Sequence, residues 1–247
     1  MVLGQGLRWG GHAMKIRLLR DYVEAQGDCR EVLFLDAFDT LCTKWPASSI
    51  LRERFRALNV GIIFNGESDL TPDPSLQSSW PRHLLRQPFP YLNSGLFFGR
   101  LETVRRMLSE VTEDMQQNFD GSSDVYDDQR LLQRWFLRND GIATVDSMGL
   151  LFLSLHERQR DAVEERDVRV ILLDNQPGAL WGIQTHTSPL IIHGNGNGCL
   201  PFLRLIDAME TSEDKWPPIQ HRTAAYPPPP FRTEEWRTCS WPWNSFS

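Results

Sequence analysis

The sequence predicts an α/β domain built on a mixed, mostly parallel sheet flanked by helices. Two short, continuous apolar runs, Val32-Leu33-Phe34-Leu35 and Val60-Gly-Ile-Ile-Phe64, have the look of strands buried on both faces. Between them, Ile50–Leu58 carries a helical pattern, and strand, helix, strand in so short a stretch is a βαβ unit. A chain of 247 residues with 40% hydrophobic and 23% charged residues can bury the core such a domain needs.

The elements follow in order. Residues 13–26 place Met14, Leu18 and Tyr22 on one helical stripe, widened by Ile16, Leu19 and Val23, with Gly27 as the expected C-cap. Val32–Leu35 is expected as a central strand ending at Asp36, and Ser48 and Ser49 as caps of the next helix. Residues 66–93 are rich in Pro, Ser and Asp and read as a long loop of the kind that often carries function. A short strand at Leu96–Phe98, a helix at Glu102–Asn118 and another from Gly121 to about Leu137 come next. Strands are expected at 142–145, 150–153, 168–173 and 189–192, and a final helix at 199–209. The domain is expected to fill residues 1–210. The Pro- and Trp-rich tail at 211–247 lacks any period and is expected to be extended or disordered.

Charge and composition exclude several classes. A net charge of −6 leaves no basic surplus for nucleic-acid phosphates. No apolar run approaches the ~20 residues of a membrane span. The N-terminus lacks the basic and apolar regions of a signal peptide. Cys29, Cys42, Cys199 and Cys239 show neither zinc spacing nor a disulfide framework, so they leave the redox compartment open.

Four segments carry candidate chemistry. In Phe34-Leu-Asp36-Ala-Phe-Asp39, Asp36 ends a strand and Asp39 lies on the following turn, so both carboxylates can converge in the crevice at the strand's C-terminal end. Oxygen ligands of this kind suit Mg²⁺ or Mn²⁺, although acidic residues also end strands and cap turns without any ion. The same residues compete as the aspartyl loop of a haloacid-dehalogenase-type phosphatase, against which stands the two-residue gap between the aspartates. Ile192-His193-Gly194-Asn195-Gly196-Asn197-Gly198 delivers a histidine into alternating glycines, where backbone N–H groups can cradle a diphosphate or simply form a turn. Asp127 and Asp128 open a helix, where the dipole favours them, or else face a sugar. Asn93 and Ser94 offer neutral groups for reading hydroxyls, and equally good turn chemistry.

Taken in order, Val2-Leu-Gly-Gln-Gly6, Gly10-Gly11 with Lys15-Ile-Arg17, Phe34–Asp39, Glu67, Tyr91–Gly95, Asp127-Asp128-Gln129 and His193–Gly196 resemble the glycosyltransferase domain of the procollagen lysyl hydroxylases. They are more distantly similar to the collagen β-galactosyltransferases. The resemblance covers about residues 1–209 and implies a GT-A fold, a UDP-sugar donor and Mn²⁺. It implies Asp36, Asp39 and His193 as metal ligands. Lys15, Glu67, Asn93, Ser94, Gly194, Asn195 and Gly196 would contact the donor, and Asp127 and Asp128 would line the catalytic pocket. The implied donor is UDP-glucose or UDP-galactose, the acceptor a hydroxylated lysine in protein, and the location the secretory pathway. Because the match starts at the family's Val-Leu-Gly-Gln-Gly segment, the sheet is expected to lack that family's first strand. The lysine that follows the family's His-Gly-Asn-Gly is replaced here by Asn197-Gly198-Cys199, and the family's Cys-Trp-Pro has only Trp80-Pro81 as a counterpart.

Three function classes therefore stand side by side. One is a metal-dependent glycosyltransferase. The second is an inactive, truncated relative acting as a binding module, and the third is the phosphatase.

Overall fold

In the computed structural model the described residues are 1–8, 10–27, 29–42, 47–117, 127–139, 141–156, 170–172, 180–182, 185–199, 202–203 and 205–207. The Pro- and Trp-rich tail, the segment around Asp124 and the outer ends of the expected strand at 168–173 and final helix at 199–209 lie outside them.

The first helix, α1 (Ala13–Glu24), buries Ile16, Leu19 and Val23 along one stripe. Met14, Leu18 and Tyr22 flank that stripe half-buried, so the deepest face is turned slightly from the one the periodicity suggests. Helix α1 ends on Ala25 in a right-handed conformation, and Gly27 does not serve as a left-handed cap. β1 (Glu31–Leu35) leads to the short β2 (Thr40–Cys42). Helix α2 (Ala47–Leu58) already contains Ser48 and Ser49 in its first turn, so they are not its N-caps.

β3 (Ile62–Glu67) is buried at every position, whereas the expected loop after it is largely ordered. Two 3-10 turns, Pro74–Ser79 and Leu84–Arg86, cross it, and Trp80, Leu84 and Phe89 are sunk into the protein as anchors. Proline and serine hid these anchors, because turn residues and core residues alternate there without a period. β4 (Tyr91–Arg100) is longer than Leu96–Phe98 and includes Asn93 and Ser94. α3 (Leu101–Gln117) and α4 (Asp128–Arg138) follow. The remaining strands are β5 (Ala143–Asp146), β6 (Phe152–Ser154), β7 (Val170–Leu172), β8 (Leu180–Gly182) and β9 (Ile191–His193).

The main sheet has the order β1-β4-β3-β5. β4 is antiparallel to both neighbours and β3 is parallel to β5, so β1, β3 and β5 point the same way and β4 alone is reversed. β1 is thus not central but at an edge, with Leu33 38% exposed and no strand beyond it among the described residues. A second sheet, β2-β9-β6, and the β7-β8 pair complete the set. One face of the main sheet packs on α1, α3 and α4 through Phe64, Phe97, Met107 and Trp135. The other face packs Ile63, Leu96 and Phe98 against Leu51 and Phe55 of α2 and Phe152 and Ile191 of the second sheet. The result is a mixed α/β fold with its sheets flanked by helices. No helix among the described residues is long and apolar enough to cross a membrane. Cys29 and Cys42 are free and exposed, and Cys199 is disulfide-bonded.

Asp146 shows how the two sheets are joined. Its buried carboxylate accepts N–H bonds from Leu150, Leu151 and Phe152 at 2.8, 2.6 and 2.8 Å, fixing the turn into β6. Burial pushes its pKa up, against the pull of those donors. Asp146→Ala would strand the Leu151 and Phe152 amides in the core, and we expect a loss of about 3 kcal/mol in urea unfolding. An unchanged midpoint would mean that water replaces the carboxylate.

Candidate functional site

The site gathers at the C-terminal ends of β1 and β3, where open α/β sheets bind ligands. Because β4 runs backwards, its beginning lies there too. Asp36 leaves β1 and is held by its own N–H on the Gly95 carbonyl at 2.8 Å. The chain turns through Asp39 into β2, which pairs Thr40 with His193 of β9. The Gly194 N–H donates to the Asp39 carbonyl at 2.8 Å, locking that turn against the end of β9. As a result one ligand atom from each of Asp36, Asp39 and His193 lies within 4.8 Å of the others.

Two observations show that this trio fits a divalent ion. His193 is 1% exposed, and its Nε2 lies 3.3 Å from Asp39 Oδ2 without the alignment of a hydrogen bond, so a buried nitrogen is left orphaned beside two carboxylates. Two of the three also close over Gly95, where a Cβ would stand 2.3 Å from His193 Cε1 and 3.0 Å from Asp36 Oδ2. Burial raises the pKa of Asp36, opposed by Lys15 and His193, while Asp39 stays below its usual range because His193 outweighs its burial.

Lys15 reaches from α1 between two carboxylates. Its Nζ is 3.2 Å from Asp36 Oδ2 and 2.9 Å from Asp128 Oδ2. Burial works against its charge, but Asp128 and Asp36 more than compensate and hold its pKa above the ordinary lysine value. The two aspartates that open α4 separate in role. Asp127 is the N-cap, with Oδ1 accepting from the Arg130 N–H at 2.9 Å, whereas Asp128 is buried and joins the cluster through Lys15.

Glu67, at the end of β3, is the hub of the polar floor. Its carboxylate accepts from Asn93 Nδ2 at 3.0 Å, Gln129 Nε2 at 2.5 Å and Asn195 Nδ2 at 3.2 Å. These donors suit an ionised acceptor, yet burial dominates and pushes the Glu67 pKa up to about 8. Thr71 Oγ1 donates to Oε1 at 3.4 Å, and its hydroxyl can reverse that bond when the carboxyl is neutral. Since the folded form keeps its proton to about 8 and the unfolded form releases it near 4.5, the folded state binds more protons between those values. Stability should therefore be full below about 4.5 and fall by several kcal/mol as the pH rises to about 8. In Glu67→Gln the pH dependence of chemical denaturation should flatten. A flat wild-type profile would show that the three amides keep Glu67 ionised throughout.

The glycines after His193 are packed rather than open. A Cβ on Gly194 would meet Phe202 Cβ at 2.5 Å, and one on Gly196, with φ +56°, would meet His156 Nδ1 at 2.5 Å. The Gly194 N–H is already donated to Asp39, so it is not free for a phosphate. Asn195 is held on both sides, by Glu67 and by Ser154 Oγ at 2.7 Å. Ser94 uses its N–H on Gln129 Oε1 at 3.2 Å. Gln129 and Asn65 belong to this floor and were not singled out as site residues. Gln129 follows the Asp127-Asp128 pair directly, which was a usable signal; nothing in the local pattern marks Asn65.

The sequence profile of the PLOD GT domain matches residues 1–211. The chain belongs to this family. A procollagen-lysine,2-oxoglutarate 5-dioxygenase of Drosophila melanogaster is 29% identical over 207 residues, which cover 78% of this chain and 26% of the relative. The multifunctional procollagen lysine hydroxylase and glycosyltransferase of Caenorhabditis elegans is 28% identical, over 79% of this chain and 26% of its own length. Protein R699 of Acanthamoeba polyphaga mimivirus is 24% identical over 85% of this chain and 42% of the viral protein. The chain thus spans about a quarter of the length of the two animal relatives. As a PLOD GT domain it is a glycosyltransferase-type domain of the GT-A kind, which leaves the phosphatase reading of Asp36 and Asp39 without support.

Proposed function

We propose that this PLOD GT domain transfers glucose or galactose from a UDP-sugar to the hydroxyl of a hydroxylysine-type acceptor, using a divalent metal. The observation that carries the proposal is the convergence of Asp36, Asp39 and the orphaned His193 Nε2. Two carboxylates with one imidazole suit Mn²⁺ better than the all-oxygen shells of Mg²⁺ and Ca²⁺. When bound there, the ion would neutralise the charge that builds on the UDP leaving group, an effect worth several kcal/mol.

The chain's own groups supply the rest. Lys15, poised beside the trio, offers a fixed cation toward a diphosphate. Asn93, Ser94 and Asn195, tied to the Glu67–Gln129 floor, present amide and hydroxyl groups at the depth where sugar hydroxyls are read. Asp128, paired with Lys15 at 2.9 Å, is placed to face positive charge developing on the sugar ring. Asp127 acts by fixing the start of α4. The disulfide at Cys199 fits an oxidising, secretory compartment.

Calorimetric titration of UDP with and without Mn²⁺ tests the reading. Binding that requires the ion supports it. A folded chain that ignores UDP in both conditions would instead be an inactive relative, the alternative favoured by the outer edge of β1, which has no neighbouring strand among the described residues.

A further inference from the structure

We propose that the buried amide of Asn65 sets the tautomer of His193, and that it turns over when a divalent ion binds at His193. The proposal rests on the metal reading above and concerns a residue that reading does not use. Asn65 is fully buried in β3, at the point where pairing with β4 slips from Phe64↔Phe97 to Asn65↔Asn93. That slip leaves Ser94, Gly95 and Leu96 without a β3 partner and turns the Asn65 side chain toward β9. Its Nδ2 lies 3.2 Å from His193 Nδ1 and 3.3 Å from Asn93 Oδ1. Its Oδ1 is buried with no hydrogen-bond partner.

An amide nitrogen can only donate, so in this arrangement Nδ1 presents its lone pair. The neutral ring must then carry its proton on Nε2, directed at the Asp39 side. That tautomer has no electron pair on Nε2 to offer an ion beside Asp36 and Asp39. Turning the Asn65 amide by half a rotation places Oδ1 against Nδ1. One proton then leaves Nε2 for water, one arrives from water at Nδ1, and the Nε2 pair faces Asp36 and Asp39. The hydrogen bond from Nδ1 to an oxygen acceptor is the usual support of a metal-bound histidine.

Asn93 cannot follow the rotation. Its Oδ1 accepts from the Gly95 N–H at 2.9 Å and its Nδ2 donates to Glu67 Oε2 at 3.0 Å. The turned amide would therefore set two oxygens against each other. That opposition holds Asn65 in its present orientation until an ion rewards the change, so Asn65 acts as a two-position latch on the histidine.

Long-range ¹H–¹⁵N spectra of the ¹⁵N-histidine-labelled chain read the tautomer directly, with His193→Gln assigning the signal and Zn²⁺ as a diamagnetic ion. We expect the Nε2–H form without metal and the Nδ1–H form with Zn²⁺. Asn65→Asp, which can only accept, should place a proton on Nδ1 even without metal and tighten Mn²⁺ binding about tenfold by electron paramagnetic resonance. An Nδ1–H signal in the metal-free wild type, or a tautomer indifferent to Zn²⁺, overturns the latch. So does an Asn65→Asp protein that folds and binds Mn²⁺ as the wild type does. If that variant does not fold, the wild-type spectra decide alone. A wild type that binds neither ion overturns the latch and the metal reading together, whereas one that binds without a tautomer change overturns only the latch.

Discussion

Asp36→Ala should abolish the Mn²⁺-dependent part of UDP binding, weakening it by at least about 100-fold, while leaving the fold intact. The two halves of that expectation have different causes. Metal affinity depends on charge and ligand count, and removing one of three protein ligands costs more than the 10- to 100-fold typical of an outer-shell partner. Folding depends little on Asp36, because its burial disfavours the charged form and it shares one lysine with Asp128. Without an ion, the burial of Asp36 and the repulsion from Asp128 and Asp39 oppose its pairing with Lys15 and His193, so deleting it removes opposing contributions together. Thermal unfolding of the metal-free variant should therefore match or slightly exceed the wild type. A variant that retains ion-dependent UDP binding would exclude Asp36 as a ligand, and one that melts well below the wild type would make it a structural residue.

Gly95→Ala should be as damaging to ion binding, and costly to stability as well. The added methyl would lie 2.3 Å from His193 Cε1 and 2.8 Å from its Nε2, with both the ring and β4 closely packed. His193 cannot retreat, since it is buried between Asn65 and the second sheet. Overpacking of this kind typically costs 1–3 kcal/mol, and here the relief comes from pushing the imidazole off the carboxylates. We expect urea unfolding to shift by about 2 kcal/mol and Mn²⁺ binding to be lost. Unaltered ion binding in this variant would show that His193 is not needed for the site.

These two residues also mark how far the sequence could be read. Asp36, Asp39 and His193 stand at strand ends, and the rule that α/β sheets gather ligands at their carboxyl ends is enough to nominate them. The helices α1, α3 and α4 and the buried β3 follow from periodicity and apolar runs. Gly95 was legible only as a turn residue, because its neighbours come from β1 and β9, far away along the chain. The edge position of β1 was hidden for a related reason: an apolar run reports burial, not which strands lie beside it. β2 and β8 span three residues each, too few to show alternation. The Glu67 floor depends on the register slip between β3 and β4 and on a glutamine from α4, and no local pattern encodes either.

The arrangement of β2 has a mechanical consequence. Asp36 belongs to the main sheet, Asp39 to the turn that leaves it, and His193 to the second sheet, with more than half the chain between the last two. An ion held by all three would add a removable pin to a seam that the β2–β9 pairing already closes. Chelation would then loosen the seam between the sheets before it melted either one. Protease nicking and amide exchange should quicken first around residues 36–42 and 191–194, where the pin is drawn.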